Sequence, residues 1–245
     1  MTEPKIYFGP VYNRSIELDH FSCVIRLLRH PNIMFGYESN DALLDRARAK
    51  ALTRFYNDTD ADVFLTIDGD ITFDDTDALD ICRQAMKYDI VAGQYVTRSR
   101  LRCYPTSLQR DDEPVTYGAD DTPVPIKWAA TGFLAIHRRV VKKLIERPDV
   151  QLAHPTEKWS FYTNLFTPFT VDGPSGPIYL SEDYALCERA IQEGFTVHVN
   201  PAVRLLHVGQ YSFSLEDTVF PAPDPMEMTF TRQQSGRYKI ESASA

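Results

Sequence analysis

The sequence has few cysteines, no long hydrophobic run and no excess of positive charge. Its four cysteines lie far apart and form no CxxC pair: they are Cys23, Cys82, Cys103 and Cys187. This spacing argues against a disulfide framework or a zinc site and predicts reduced thiols. No apolar run approaches the roughly 18 residues that cross a bilayer, and the segment MTEPKIYFGP has no secretory pattern. We therefore expect a protein of the cytoplasm without a membrane span.

Acidic residues outnumber basic residues in this chain. There are 34 Asp and Glu against 26 Lys and Arg, which gives a formal net charge of −8. A protein dedicated to binding nucleic-acid phosphates would need a basic face, so this balance argues against that function. Three nearby arginines could form a local basic edge, or could simply be charges on a solvated strand or loop: Arg98, Arg100 and Arg102.

Strand and helix patterns alternate along the chain without repeats. At 245 residues and 43% hydrophobic content, the chain can form one large domain, or two closely packed lobes, with a sizeable core. Continuous apolar runs and alternation predict strands at residues 5–9, 63–67, 90–93, 127–137 and 196–206. Helical spacing predicts a helix that ends at His30, and further helices at residues 41–56, 78–87, 139–146 and 181–193. This order is typical of an α/β fold in which helices flank a mainly parallel sheet.

An acidic cluster follows the predicted strand at residues 63–67. Nine aspartates lie between Asp58 and Asp80, and Asp68-Gly69-Asp70 comes directly after the strand. Because ligands of open α/β sheets bind at the carboxyl ends of strands, these two carboxylates are placed at a site. A hard cation such as Mn²⁺ or Mg²⁺ would relieve their repulsion. The alternative is a solvated acidic turn, and it suits the helix N-terminal acids Asp74, Asp75 and Asp77.

One arginine lies on the apolar side of the second predicted helix. At about 100° per residue, Arg48 falls inside the stripe formed by Ala47, Ala51, Leu52 and Phe55. A guanidinium on a core-facing stripe must be paired or must reach a site. Arg48 would therefore extend toward a nucleotide or pair with a carboxylate of Asp68-Gly69-Asp70. The alternative is a surface arginine whose stem covers the helix end.

A second acidic pair and a histidine complete the set of candidate residues. Glu182 and Asp183 open the helix at 181–193, with Ser181 as the expected N-cap. They are either complements to the helix dipole or a base that takes a proton from a hydroxyl. His207 follows an alternating strand, and it is either structural or a third ligand for Mn²⁺.

Taken in order, these segments resemble GT-A fold glycosyltransferases, in particular GT2-type enzymes encoded by phages and large viruses. The matching segments are GPVY, LLDRARAKAL, FLTIDGDITF, DIVAGQYV, TGFLAIHRRVV and SEDYALCERAIQEGFTVHVNPAVRLLHVG. They span most of residues 5–215. One departure is Ala49, where relatives often carry Asn.

The resemblance implies a role for each candidate residue. Asp70 would bind Mn²⁺ directly, Asp68 would bind the ribose or a metal-bound water, and His207 would be a further metal ligand. Asp183 would be the catalytic base, with Glu182 as the second choice. The nucleotide and the sugar would be bound by Pro10, Val11, Tyr12, Arg48, Asp68, Gly69, Gly132 and Phe133.

The resemblance also implies an activity, its partners and a domain plan. The activity would be transfer of a sugar, with inversion, from a nucleoside diphosphate sugar such as a UDP-sugar to a hydroxyl. The acceptor would be a glycan, a glycoprotein or a modified base. The protein would be located in the cytoplasm, which would be that of the host cell if the chain is viral. Residues 1–215 would form the domain, with a nucleotide-binding half (1–127) and an acceptor half (128–215). Residues 216–245 would be a lid, a tail or an arm of a homodimer.

Two other functions remain open from the sequence. VFLTIDGDIT also fits the hhhhDxDxT motif of haloacid-dehalogenase-like phosphatases, which depend on Mg²⁺. That motif usually begins the fold, whereas here about sixty residues precede it. A protein that binds a sugar nucleotide without catalysis is the other alternative, and the presence of Asp68, Asp70, Asp183 and His207 disfavours it.

Overall fold

An eight-stranded sheet forms the centre of the computed structural model, which describes residues 3–13, 15–98, 106–108, 115–118, 120–209, 228–232 and 238–242. The helices are α1 (Leu18–Leu27), α2 (Leu44–Asp58), α3 (Asp75–Tyr88), α4 (Arg138–Ile145) and α5 (Glu182–Gln192). The strands are β1 (Ile6–Phe8), β2 (Val11–Tyr12), β3 (Ile33–Phe35), β4 (Glu38–Ser39), β5 (Val63–Ile67), β6 (Ile71–Thr72), β7 (Ile90–Gly93), β8 (Thr106–Leu108), β9 (Val115–Tyr117), β10 (Val124–Ala129), β11 (Phe133–His137), β12 (Leu152–Ala153), β13 (Phe161–Tyr162), β14 (Phe169–Gly173), β15 (Gly176–Leu180), β16 (Val197–Asn200), β17 (Leu206–His207), β18 (Met228–Arg232) and β19 (Tyr238–Ser242).

The central sheet is mixed, but most of its strands run in one direction. Its order is β3-β1-β5-β11-β7-β16-β10-β8. β1 is parallel to both β3 and β5, and β16 is parallel to β7. β11 is antiparallel to β5 and β7, and β10 is antiparallel to β16 and β8. The predicted fold class, an α/β fold with a mainly parallel sheet, is therefore confirmed.

Helices bury both faces of this sheet, which explains why its inner strands read as continuous apolar runs. α1 and α3 pack on one face, where Val24 and Ile81 belong to the same core cluster as Leu65 of β5. α2, α4 and α5 pack on the other face, in the cluster that contains Phe55 and Phe64. Alternate residues of β5 thus enter opposite cores, and all five of its residues are buried.

The prediction of one strand over residues 127–137 is wrong. The structure has two strands there, β10 and β11, joined by a turn at Thr131-Gly132. β10 lies between β16 and β8, whereas β11 lies between β5 and β7 at the centre of the sheet. All residues from 129 to 136 are buried. The apolar pattern therefore continues through the turn and conceals it.

The prediction of one strand over residues 196–206 is also wrong. β16 ends at Asn200, whose Oδ1 accepts a hydrogen bond from the backbone N–H of Ala202 at 2.9 Å. Pro201 has no N–H to continue a ladder, so the chain turns here. It forms a new short strand, β17, which pairs with β6. The five helices otherwise lie within a few residues of their predicted positions, and Asp75 and Asp77 are in the first turn of α3 as expected.

Part of the chain after residue 215 forms a sheet with an earlier strand. β18 pairs with β19 and also with β9, so the order is β19-β18-β9. The predicted division of the chain into a nucleotide-binding half, an acceptor half and a C-terminal lid or tail, with boundaries at residues 127 and 215, stays a prediction. Residues 210–227 lie outside the described residues.

Two predictions from composition can be compared with the structure. Within the described residues, no helix is both long and apolar enough for a membrane span. Three cysteines are free and buried, Cys23, Cys82 and Cys187, and the prediction that they are reduced stays a prediction. Cys103, Arg100 and Arg102 lie outside the described residues.

We expect Asp77→Asn to stabilise the protein at neutral pH. Burial raises the pKa of Asp77 to about 6 from 3.8, so above pH 6 the folded state holds a partly desolvated charge. Between pH 6 and pH 4 the folded state binds more protons than the unfolded state. The free-energy cost of the desolvated charge therefore disappears as the pH falls through this range. Urea unfolding at pH 7 should give a gain of about 1–3 kcal/mol, because part of the shift is offset by the lost helix-dipole interaction.

The matched control is Asp74→Asn, at the exposed start of the same helix. It should change the free energy of unfolding by less than about 0.5 kcal/mol. A gain for Asp77→Asn that is the same at pH 4 and pH 7 would contradict the assignment to a buried charge.

Candidate active site

The turn Asp68-Gly69-Asp70 connects β5 to β6 at the edge of the central sheet. The backbone N–H of Asp68 donates to Gly132 O at 3.0 Å, and that of Ile71 donates to Asp68 O at 3.0 Å. Both carboxylates therefore leave the sheet where β5 ends and β11 begins. As predicted, the acidic turn lies at the carboxyl end of a buried central strand.

Arg48 joins this turn to the start of α5. Its Nη2 lies 3.1 Å from Asp68 Oδ1, and its Nη1 lies 3.1 Å from Glu182 Oε1. Arg48 is only 5% exposed, so the guanidinium is withdrawn from water and held by two carboxylates. Burial lowers the pKa of Arg48, but the charges of Asp68, Glu182 and Asp183 outweigh it and leave the pKa raised. The predicted pairing of Arg48 with a carboxylate of the turn is present in the structure.

Asp183 follows Glu182 in the first turn of α5. Its Oδ1 accepts hydrogen bonds from Ser181 Oγ and from the backbone N–H of Tyr184, the latter at 2.8 Å. Burial raises the pKa of Asp183, the neighbouring charge of Glu182 raises it further, and the Ser181 hydroxyl opposes both. Asp183 is therefore a carboxylate of increased proton affinity beside the Arg48 ion pair, which is the property that a general base needs.

Pairing of β6 with β17 brings His207 next to Asp70. His207 lies opposite Ile71 in the ladder, and its Nε2 is 3.5 Å from Asp70 Oδ2. Its Nδ1 lies 2.7 Å from Val96 O. A carbonyl oxygen only accepts hydrogen bonds, so Nδ1 carries a proton, and Nε2 is the ring nitrogen that faces Asp70. A carbonyl partner that fixes the tautomer in this way is typical of metal-binding histidines.

Asp70 also contacts Arg98, which lies beyond the end of β7. Arg98 Nη2 is 2.8 Å from Asp70 Oδ2, and Arg98 Nη1 donates to Val208 O at 3.1 Å. Burial favours the neutral form of Asp70, but the hydrogen bond and charge of His207, together with Arg98, lower its pKa overall. Asp70 is thus ionised at neutral pH. Arg98 thus adds a positive charge next to the acidic turn. The position of Arg98 in the sequence did not indicate this contact.

Tyr12, at the end of β2, covers the acidic turn Asp68-Gly69-Asp70. A Cβ placed on Gly69 would lie 2.9 Å from Tyr12 Cδ1, so a larger residue than glycine would displace the ring. The Tyr12 hydroxyl is 3.0 Å from His20 Nε2, and His20 Nδ1 is 2.7 Å from Ile71 O. Sequence reasoning did not select His20. It is buried on the apolar stripe of α1 with Cys23, Val24 and Leu27, and this spacing is the signal that could have found it.

Tyr95 is a second residue that sequence reasoning did not select. It is buried, and its hydroxyl would lie 2.3 Å from a Cβ placed on Gly132. Burial raises its pKa well above the ordinary value, and the charge of Asp68 adds to this. Tyr95 therefore stays protonated between the acidic turn and the backbone of Gly132.

Two of the predicted sugar-binding residues have no side-chain surface in the cleft. Phe133 is fully buried and packs against Phe73 with ring centroids 5.7 Å apart, and its predicted place under the donor sugar or the acceptor stays a prediction. Gly132 is buried under Tyr95. Pro10 is buried too, and its carbonyl accepts a hydrogen bond from Glu38 N at 3.1 Å.

A cavity of about 480 Å³ lies over these residues. Its walls include six of the predicted site residues: Val11, Tyr12, Arg48, Asp68, Gly69 and Asp70. A volume of this size accepts a ligand of several hundred daltons. The cleft is polar where Arg48 and the acidic turn meet, and aromatic where Tyr12 lies.

The predicted metal ligands are only partly brought together. Asp70 and His207 face each other, whereas Asp68 is held by Arg48. Across the described residues, no group of three His, Cys, Asp or Glu side chains is close enough to hold a metal ion. Asp70 and the free nitrogen of His207 nevertheless offer one oxygen and one nitrogen donor, which fits Mn²⁺ if a ligand or water supplies the remaining oxygens.

Comparisons with known proteins support the fold. A197 from STIV has a similar solved structure, with a TM-score of 0.54 and 14% identity over 98% of this chain and 96% of that chain. 4-Diphosphocytidyl-2C-methyl-D-erythritol synthase from Anaerococcus prevotii gives a TM-score of 0.36 and 11% identity over 59% of this chain and 76% of that chain, too weak to carry an argument. No family model matches the sequence, and neither does any curated protein. At these identities the likeness shows the fold alone.

We expect Arg48→Met to destabilise the protein by about 3–5 kcal/mol, because it leaves Asp68 and Glu182 without their buried partner. Urea unfolding measures this loss. Combining the change with Asp68→Asn and Glu182→Gln should recover a large part of it, since the charges are removed together with the arginine.

Arg83→Met is the matched control for this prediction. Arg83 also lies between two carboxylates, Glu3 and Asp80, but all three side chains are more than 40% exposed. The control should lose less than about 1 kcal/mol. Equal losses for the two arginines would show that the Arg48 bridge is no stronger than a surface contact.

Proposed function

We propose that this protein is a metal-dependent glycosyltransferase that transfers a sugar from a UDP-sugar to a hydroxyl group with inversion. The observation that carries the proposal is the Arg48 bridge. Arg48 joins Asp68, directly after β5, to Glu182, at the start of α5. Arg48 and Glu182 are 134 residues apart in the sequence. Two acidic pairs that are distant in the chain are thereby held beside one cleft.

The cleft suits a nucleoside diphosphate at its aromatic end. In the proposed complex, Val11 and Tyr12 line the base pocket, and Nε2 of His20 fixes Tyr12 by accepting a hydrogen bond from its hydroxyl. Asp68 is held by Arg48, which leaves it able to accept a hydrogen bond from the ribose. Asp70 and His207 would hold Mn²⁺ or Mg²⁺. When bound, the ion would neutralise the charge that builds on the departing diphosphate.

Asp183 is proposed as the base that takes the acceptor proton. Its increased proton affinity lets it hold that proton, and the hydrogen bond from Tyr184 N fixes its orientation. Glu182 is engaged with Arg48 and so is the less suitable base. Attack from the side opposite the diphosphate would invert the configuration of the sugar. A glycan, a glycoprotein or a modified base could supply the hydroxyl.

The first test is release of UDP from a panel of UDP-hexoses in the presence of Mn²⁺. Asp183→Asn should lower the turnover at least about 100-fold, because it removes the base, and should leave UDP affinity near normal. Asp70→Asn should lower both turnover and Mn²⁺-dependent UDP affinity, the latter at least about tenfold. Asp172→Asn, at an exposed position of β14, is the control and should change neither.

Two results would overturn the proposal. Steady release of phosphate from a simple phosphate ester with Mg²⁺, without release of UDP from any donor, would favour the phosphatase. Binding of UDP with Mn²⁺ but no turnover of any donor or acceptor would favour a non-catalytic binding protein.

The pH dependence provides a separate test of Asp183. Because burial raises its pKa, the acid limb of the kcat/KM profile should lie at higher pH than an ordinary aspartate would give, and activity should fall as Asp183 is protonated. Ser181→Ala removes the hydrogen bond that lowers this pKa, so it should move the acid limb to higher pH. Ser22→Ala, which removes an exposed hydroxyl of α1, should leave the limb in place. An unchanged limb in Ser181→Ala would contradict the assignment of the base.

A further inference from the structure

Arg98 contacts the acidic turn at Asp70, and the roles proposed above do not use this arginine. Its Nη2 lies 2.8 Å from Asp70 Oδ2, and its Nη1 donates to Val208 O at 3.1 Å. The same oxygen of Asp70 lies 3.5 Å from Nε2 of His207. The guanidinium therefore binds the carboxylate oxygen that also faces the imidazole.

The orientation of His207 brings its second ring nitrogen to this oxygen. Since Nδ1 of His207 donates to Val96 O at 2.7 Å, Nε2 is the nitrogen that faces Asp70. A carboxylate oxygen and an imidazole nitrogen at this distance form two sides of a place that a positive group can occupy. Arg98 supplies such a charge, and a divalent cation would use the same oxygen.

Arg98 can leave Asp70 at little cost. The side chain of Arg98 is 44% exposed and that of Asp70 is 25% exposed, so water can solvate the guanidinium when it leaves the carboxylate. Arg98 lines the same cavity as Arg48, Asp68 and Asp70. Released from Asp70, its guanidinium would remain in the cleft, where it can form paired hydrogen bonds to phosphate oxygens.

We infer that Arg98 and a divalent cation compete for Asp70, and that Arg98 binds the diphosphate of the donor when the cation has taken Asp70. The inference rests on the proposed function, because it assumes a diphosphate ligand in this cleft. It assigns Arg98 two effects of opposite sign. Arg98 weakens cation binding to the protein alone and strengthens nucleotide binding in the presence of the cation. An arginine with a purely structural role would not separate these two effects.

Arg98→Gln tests both effects. Without nucleotide, the affinity for Mn²⁺, measured from the electron paramagnetic resonance signal of the free ion, should increase about three- to tenfold because the competitor is gone. At saturating Mn²⁺, the affinity for UDP, measured by calorimetry, should fall at least about tenfold because a charged hydrogen-bond donor is lost. Arg83→Gln removes an exposed arginine of α3 with two carboxylate partners, and it should change neither affinity.

The outcomes separate this inference from the proposed function. Mn²⁺ affinity that is unchanged or lower in Arg98→Gln, with normal UDP binding in the wild type, overturns the inference and leaves the function standing. Unchanged UDP affinity in Arg98→Gln at saturating Mn²⁺ also overturns it. Tighter Mn²⁺ binding in Arg98→Gln, lost again when Asp70→Asn is added, supports the competition. Tighter Mn²⁺ binding in Arg98→Gln, without UDP binding to the wild type or to either variant, would overturn the proposed function instead.

Discussion

The buried ion pair of Arg48 is the interaction on which the arrangement of the site depends. A guanidinium removed from water requires anionic partners, and Arg48 has them in Asp68 and Glu182. Asp68 directly follows a central strand and Glu182 begins a helix, so one side chain fixes the sheet edge against the helix start. Asp70 and Asp183 each lie within two residues of a partner of Arg48. Their relative positions therefore follow from the same contact.

A second constraint comes from the extended segment that follows β7. Its residues contact the acidic turn and its surroundings at successive points: Tyr95 covers Gly132, Val96 O accepts a hydrogen bond from Nδ1 of His207, and Arg98 binds Asp70. β11 inserts between β5 and β7, so the ends of those two strands lie on either side of it. Side chains that follow parallel strands thus converge at the edge of the sheet where ligands bind in open α/β folds.

The sequence predicted those features that depend on local pattern. The buried run before Asp68 and the helical position of Arg48 each point to the cleft without knowledge of the topology. The contacts of His20 and Arg98 were not predictable, because both depend on which strands are neighbours: His20 reaches Ile71 of β6, and Arg98 reaches Asp70. The break within residues 127–137 was missed because buried residues continue through the turn. The break within residues 196–206 was missed because only the two residues Asn200 and Pro201 produce that turn.

The charge balance of the site limits what it can bind. Four carboxylates, Asp68, Asp70, Glu182 and Asp183, face two guanidinium groups, Arg48 and Arg98. With all of them ionised the cluster carries a charge of −2, and a diphosphate would add further negative charge in a partly desolvated cleft. A divalent cation at Asp70 would offset this excess. It would also release Arg98, so that a second positive group becomes available to the phosphates. On this view the negative charge of the cleft makes binding of an anionic donor depend on prior or simultaneous binding of a cation.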